Sequence, residues 1–189
     1  MNFKKEYSKS WSYLKKNEFY FLFIFLVFLF AVFLGYFFPV FFIDMIVKFV
    51  TELAEKTKDM NFWQLLFFIL QNNLTSAFLG VILGVALGIM PVLFSFFNGY
   101  ILGFVSVKTV EATNASVLLR LLPHGIFEIP ALIISLGLGL KLGTFIFAKT
   151  KKKVFLHDLE NALRVFLYVV IPLLLIAGVI ETSLIFLLG

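Results

Sequence analysis

The chain has no cysteine. That excludes disulfides, thiolate nucleophiles and cysteine-ligated metals. It has two histidines and lacks the H-E-x-x-H spacing, so a zinc site has few ligands to draw on. No G-x-S-x-G elbow, P-loop or dinucleotide fingerprint occurs. Only Asp44 lies near an apolar run, so an intramembrane aspartate pair is not available. These absences argue against an enzyme, and no cofactor or metal is expected. Charge is also scarce. Asp, Glu, Lys and Arg make up 14% of the chain, against about 25% in soluble domains. What is abundant is apolar surface: 61% of 189 residues are hydrophobic and 27 are phenylalanine. A water-soluble fold of this size has too little interior to hide so much. The reading is an all-α, multi-span transmembrane helical bundle in a single domain over residues 1–189. About five spans are expected, with broken or re-entrant helices and one interfacial amphipathic helix.

Phe19 to Phe38 runs twenty residues without a charge, which at ~1.5 Å per residue matches a ~30 Å hydrocarbon core. The run is too long for a signal-peptide core, and no A-x-A site follows it. Residues 40–58 place Phe42, Met45, Ile46, Phe49, Val50 and Leu53 at helical spacing, with Asp44, Lys48, Glu52 and Lys56 on another face. That pattern fits a helix lying in the membrane interface, or equally one packed on the other spans. Phe62 to Leu70 is too short to cross and ends in Gln71-Asn72-Asn73, which suggests a segment that turns back. Spans are placed near 19–38, 72–92, 93–112, 126–147 and 163–187. Asn98-Gly99 is a turn signal, so the 93–112 crossing is expected to be broken.

The net charge of +5 falls in two blocks and is read as topology, not as a nucleic-acid surface. Segments 1–18 and 149–164 hold ten basic residues between them, while 39–73 and 108–123 hold five. The positive-inside rule then puts 1–18 and the basic loop 148–164 in the cytoplasm and the amphipathic segment 39–73 outside. The protein is expected in the plasma membrane with a cytoplasmic N-terminus and an external C-terminus.

Gly80, Gly84 and Gly88 are each four apart, and Gly99 and Gly103 repeat that spacing. Small residues so placed let helix backbones approach closely in lipid. Gly35, in a phenylalanine-rich span, is expected to tolerate a leucine. Polar residues that lipid does not tolerate unpaired are the functional candidates: Asn72, Asn73, Asn98, His124 and Glu128. His124 and Glu128, four apart, form a coupled pair if they share a helix. Pro123 and Gly125 instead suggest a turn at His124, with Glu128 stabilising a helix start by ~0.3–1 kcal/mol. The asparagines otherwise cap helices or bond free carbonyls. Glu181 is read as a solvated carboxylate near the outer end of the last span, and Lys141 as reaching for headgroups.

Asn72-Asn73 before a glycine-spaced span, Asn98-Gly99 with Gly103, and above all Pro123-His124-Gly125-Ile126-Phe127-Glu128-Ile129-Pro130-Ala131 resemble the stage II sporulation protein M family. The resemblance covers about residues 62–189 and implies a multi-span helical membrane protein. Its named member acts in sporulation, with cell-wall hydrolases that drive engulfment. Similar proteins are widespread in archaea and in bacteria that do not sporulate. The leading expectation is a non-enzymatic assembly or scaffold component whose partners are the bilayer and either copies of itself or other membrane proteins. The alternative is a small transporter or channel for an ion or small molecule, working through the polar residues around His124 and Glu128. A polar cavity containing those residues would favour transport, and a dry, filled core would favour the scaffold.

Overall fold

The computed structural model describes residues 3–112 and 118–188, and of 118–124 and 188 the backbone alone. Among the described residues there are eight α-helices and no strand. They are α1 (Phe3–Lys16), α2 (Glu18–Phe37), α3 (Ile43–Thr57), α4 (Phe62–Ile82), α5 (Ile89–Ala112), α6 (Leu118–Gly143), α7 (Lys151–Val165) and α8 (Ile171–Leu188). Five helical stretches are long and apolar enough to cross a membrane: Glu18–Phe37, Phe62–Val85, Ile89–Ala112, Gly125–Phe147 and Lys151–Leu187.

Several boundaries differ from the sequence reading. The amides at 71–73 do not stop a helix, because α4 runs through them from Phe62 to Ile82. Its start is fixed by a capping box: the Asn61 side chain accepts from the Gln64 N–H, and the Gln64 side chain accepts from the Asn61 N–H. The second span therefore begins ten residues before the expected 72. Its end is a short 3₁₀ turn, Leu83–Val85, followed by Leu87 at φ 61° and Gly88 at φ 70°. Left-handed backbone at Gly88 costs little, because it has no Cβ. This turn reverses the chain, and Asn98-Gly99 does not. Both lie inside α5, an unbroken helix of 24 residues. Pro91 falls in the first turn of α5, where a missing N–H costs nothing. Lys108–Ala112 complete the same helix, so the crossing ends at 112 as expected.

Helix α6 carries the other correction. Its backbone is helical from Leu118 onwards, through Pro123, His124 and Gly125. Glu128 thus lies ten residues into the helix, far from the macrodipole's positive end, and the helix-start role is removed.

The glycines bring these helices together. A Cβ on Gly84 would overlap the backbone of Gly139, one on Gly139 would overlap the Gly80 carbonyl oxygen, and one on Gly143 would overlap Gly88 and Gly84. Gly88 lies beyond the end of α4, in the reversing turn, where a Cβ would sit 2.8 Å from a Leu140 methyl carbon. So Gly80, Gly84 and Gly88 lie against α6 within one chain. Gly99 and Gly103 lie against Phe28 and Val32 of α2. Gly35 answers them from the other side, since a Cβ there would overlap the Tyr100 carbonyl oxygen. The expected tolerance at Gly35 is therefore corrected: it stands at a backbone-to-backbone crossing, not towards lipid.

α3 is amphipathic and packs lightly. Ile46 is its buried side chain, while Met45, Val47, Phe49, Val50 and Leu53 are exposed beside Lys48 and Glu52. Of the two readings for this segment, the light packing fits the interfacial one. At the opposite end of the bundle α1 folds back on α7. Asp158, only 3% exposed, accepts from the Tyr13 hydroxyl at 3.1 Å and the Lys141 ammonium at 2.8 Å. Lys141 is held there, with the Tyr20 ring beneath it, and does not reach freely for headgroups. Burial and the adjacent Asp158 carboxylate push the Tyr13 phenol pKa up. Glu6 pairs with Lys9 at 2.7 Å and with Arg164 at 2.8 Å. Those cations hold its carboxyl below the ordinary range.

Candidate functional site: a polar cavity between five helices

An isolated carboxylate or amide in hydrocarbon costs several kcal/mol unless it finds a partner or water. Mid-depth polar side chains are therefore drawn together or towards a wet space. Asn72 and Asn98 stand ten and nine residues from the starts of their spans, ~15 Å or about half the depth of a bilayer core. Glu128 stands three residues from the start of the span Gly125–Phe147 and Glu181 six from the end of the span Lys151–Leu187, so both carboxylates lie towards one end of the bundle.

These residues share one cavity of about 370 Å³, between α3, α4, α5, α6 and α8. Its polar lining is Thr57, Asn72, Asn73, Ser76, Asn98, Glu128 and Glu181. Its apolar lining includes Phe49 and Leu53 of α3, Phe68 of α4, Leu132 of α6 and Leu174 of α8. Four of the five candidate residues thus converge. The fifth, His124, is four positions before Glu128 on the same helix, and its side chain lies outside the described residues.

Glu181 is the residue that sequence reasoning left out of the set. It stands six residues from the end of the last span, as expected, but it is partly buried and lines the same space as Glu128. The signal was present, since an acid inside the apolar run 165–188 is by default a functional candidate. Neither carboxylate meets a hydrogen-bonding or oppositely charged partner among the described residues, and each lies within reach of the other's charge. No lysine or arginine lines the cavity among them either.

Asn98 Nδ2 donates to the Phe94 carbonyl at 2.8 Å. A carbonyl only accepts, so the nitrogen is turned to it and Oδ1 is left as an acceptor. Asn72 Nδ2 donates to Asn73 Oδ1 at 3.4 Å, a long contact between two amides that leaves one amide oxygen and one amide nitrogen of the pair open to the cavity. The cavity therefore offers two carboxylates and two carboxamide oxygens to whatever enters. It is acidic and rich in acceptors. Among the described residues no group of three or more His, Cys, Asp or Glu could hold a metal ion.

The chain matches the family model of stage II sporulation protein M over residues 22–184. An uncharacterised protein of Methanocaldococcus jannaschii is 33% identical over 120 residues, covering 60% of this chain and 66% of the relative. The chain thus spans a little under two thirds of that relative's length. No solved structure matches the chain. The family match extends over most of the chain and overlaps all five spans, so the protein belongs to the stage II sporulation protein M family and is a multi-pass membrane protein.

Proposed function

We propose that this member of the stage II sporulation protein M family carries or conducts a cationic solute through the acidic cavity between α3, α4, α5, α6 and α8. The observation that carries the proposal is the pair of unpartnered carboxylates, Glu128 and Glu181, facing one space within the spans with Asn72 and Asn98. Ionisable groups inside membrane spans are expensive, and ion or substrate pathways are where they recur. The process is binding and passage, without covalent chemistry, so the protein is not an enzyme. The chain is oriented with α1 and α7 in the cytoplasm and α3 and the C-terminus outside, as the lysine distribution favours.

The assembly reading loses one of its supports, the glycine face, which is occupied by α6 of the same chain. Its other supports, the lack of catalytic residue sets and of a large soluble domain motif, fit transport equally, and a scaffold role is kept as the second reading.

Reconstitution into liposomes tests the proposal. Uptake of protons, sodium, potassium and phenethylamine would be measured against protein-free vesicles. At least one should pass faster, and Glu128→Gln and Glu181→Gln should each slow it by about tenfold or more, as expected for lost intramembrane charge. Glu52→Gln, on the exposed face of α3, should not. Passage indistinguishable from empty vesicles for all four solutes would overturn the proposal and return the assembly role to first place.

A further inference from the structure

We infer that the solute taken by the cavity is an organic cation, an ammonium group joined to a compact apolar body. The inference rests on the transport reading above and narrows it to a substrate class. Charge sets the sign. Glu128 and Glu181 face the space without an opposing lysine or arginine among the described residues, so an anion is repelled and a neutral solute leaves both acids unpaired.

Size and wall chemistry decide between a metal ion and an organic cation. A space of about 370 Å³ is far larger than a coordination sphere and falls within the ~300–1,000 Å³ of small-molecule pockets. Hard metal ions demand a close shell of about six oxygen ligands, and two carboxylates with a few amides in so wide a space do not make one. The lining is also divided. Phe49, Leu53, Phe68 and Leu132 supply apolar surface. A hydrated inorganic ion would leave that surface facing water, whereas an apolar body covers it. Two aromatic rings among these residues add attraction for a cation.

Hydrogen bonding favours an ammonium in particular. It carries three donors and no acceptor. The cavity answers with the carboxylates of Glu128 and Glu181 and with the Oδ1 atoms of Asn72 and Asn98, each of whose amide nitrogens has one N–H engaged. The acceptors of the cavity outnumber the three donors of an ammonium, so each donor finds one.

Calorimetry on the whole chain in lipid nanodiscs tests this near neutral pH, with empty nanodiscs subtracted. The probes are phenethylamine, its neutral counterpart 2-phenylethanol, methylammonium and sodium. Phenethylamine should bind at least about tenfold more tightly than each of the other three. The double variant Glu128→Gln/Glu181→Gln should bind phenethylamine no better than the alcohol. If that variant does not fold, Glu181→Gln alone and the ranking on the unmodified chain decide the matter. Equal binding of amine and alcohol would refute the role of the acids. Methylammonium or sodium binding as well as phenethylamine would refute the role of the apolar wall. Passage of protons or sodium in liposomes without amine binding would sink this inference and leave transport standing. Amine binding without passage of any solute would do the reverse.

Discussion

Asp158 ties two other helices together through one buried side chain, so its removal should destabilise the fold strongly. It is buried at the end of the bundle opposite α3 and accepts from two side chains on two other helices, Tyr13 of α1 and Lys141 of α6. Asp158→Leu removes both acceptors at once. Lys141, 17% exposed, is left with a charge it cannot readily return to water. Breaking a buried pair from one side costs ~3–5 kcal/mol. The residual exposure of Lys141 lets it recover part of its hydration, and the lost Tyr13 hydrogen bond adds ~1 kcal/mol, so a total of about 3 kcal/mol is expected. Most of this is the penalty on an orphaned charge, so Lys141→Met in the same chain should restore a good part of it. The measurement is a double-mutant cycle on unfolding in detergent, with a coupling of at least ~1 kcal/mol expected. If Asp158→Leu lost less than ~0.5 kcal/mol, or if the double variant lost the plain sum of the singles, the buried pair would not be holding these helices together.

Two further outcomes follow from the packing and the topology. Gly35→Ala should destabilise by ~1–3 kcal/mol, because one methyl overlaps the Tyr100 backbone. Gly125→Ala, where among the described residues the new carbon meets only the Ile129 methyl at 3.5 Å, should be neutral or gain up to ~1 kcal/mol of helix propensity. Equal detergent melting shifts for the two would refute the α2–α5 crossing. The native chain has no cysteine, so single-cysteine variants need no prior removal. Lys56→Cys should react with an impermeant maleimide added to intact cells and Lys151→Cys should not, and the opposite pattern would invert the topology.

Much of the bundle was legible in the sequence because lipid imposes a simple rule. Backbone groups must be paired internally, so long apolar runs become helices. That rule finds α2 and α8 without help. It misleads where a polar cluster interrupts a run, as at Gln71-Asn72-Asn73. An amide side chain does not break the backbone ladder, so α4 continues through all three. Asn98-Gly99 failed as a turn signal for the same reason. A glycine that permits a turn equally permits a close helix crossing, and here α2 supplies the crossing. The real reversal at Leu87-Gly88 puts a leucine at positive φ, a conformation its residue type does not advertise. Lys141 and Asp158 were read apart because their pairing depends on how α7 folds back, which no local pattern records.

The site was legible one residue at a time but not as a set, and the glycines explain why it exists at all. Along α4 and α6 the chain runs in the same direction, and the close crossing is made by Gly80 and Gly84 against Gly139 and Gly143. Asn72 stands eight residues before Gly80, and Glu128 eleven before Gly139, which at ~1.5 Å per residue is ~12–16 Å from the crossing. Helices that touch backbone to backbone do so over a short length, because crossing angles carry them apart on either side. In the half where they part, the facing positions are taken by Phe68, Leu132 and the polar residues of the cavity. Tight glycine contact at one end and an acidic space at the other are therefore two consequences of one crossing. It follows that Gly84→Ala should disturb the cavity from a distance. It should weaken phenethylamine binding without touching a cavity-lining atom, and unchanged affinity in a folded Gly84→Ala variant would show that the crossing does not set the width of the site.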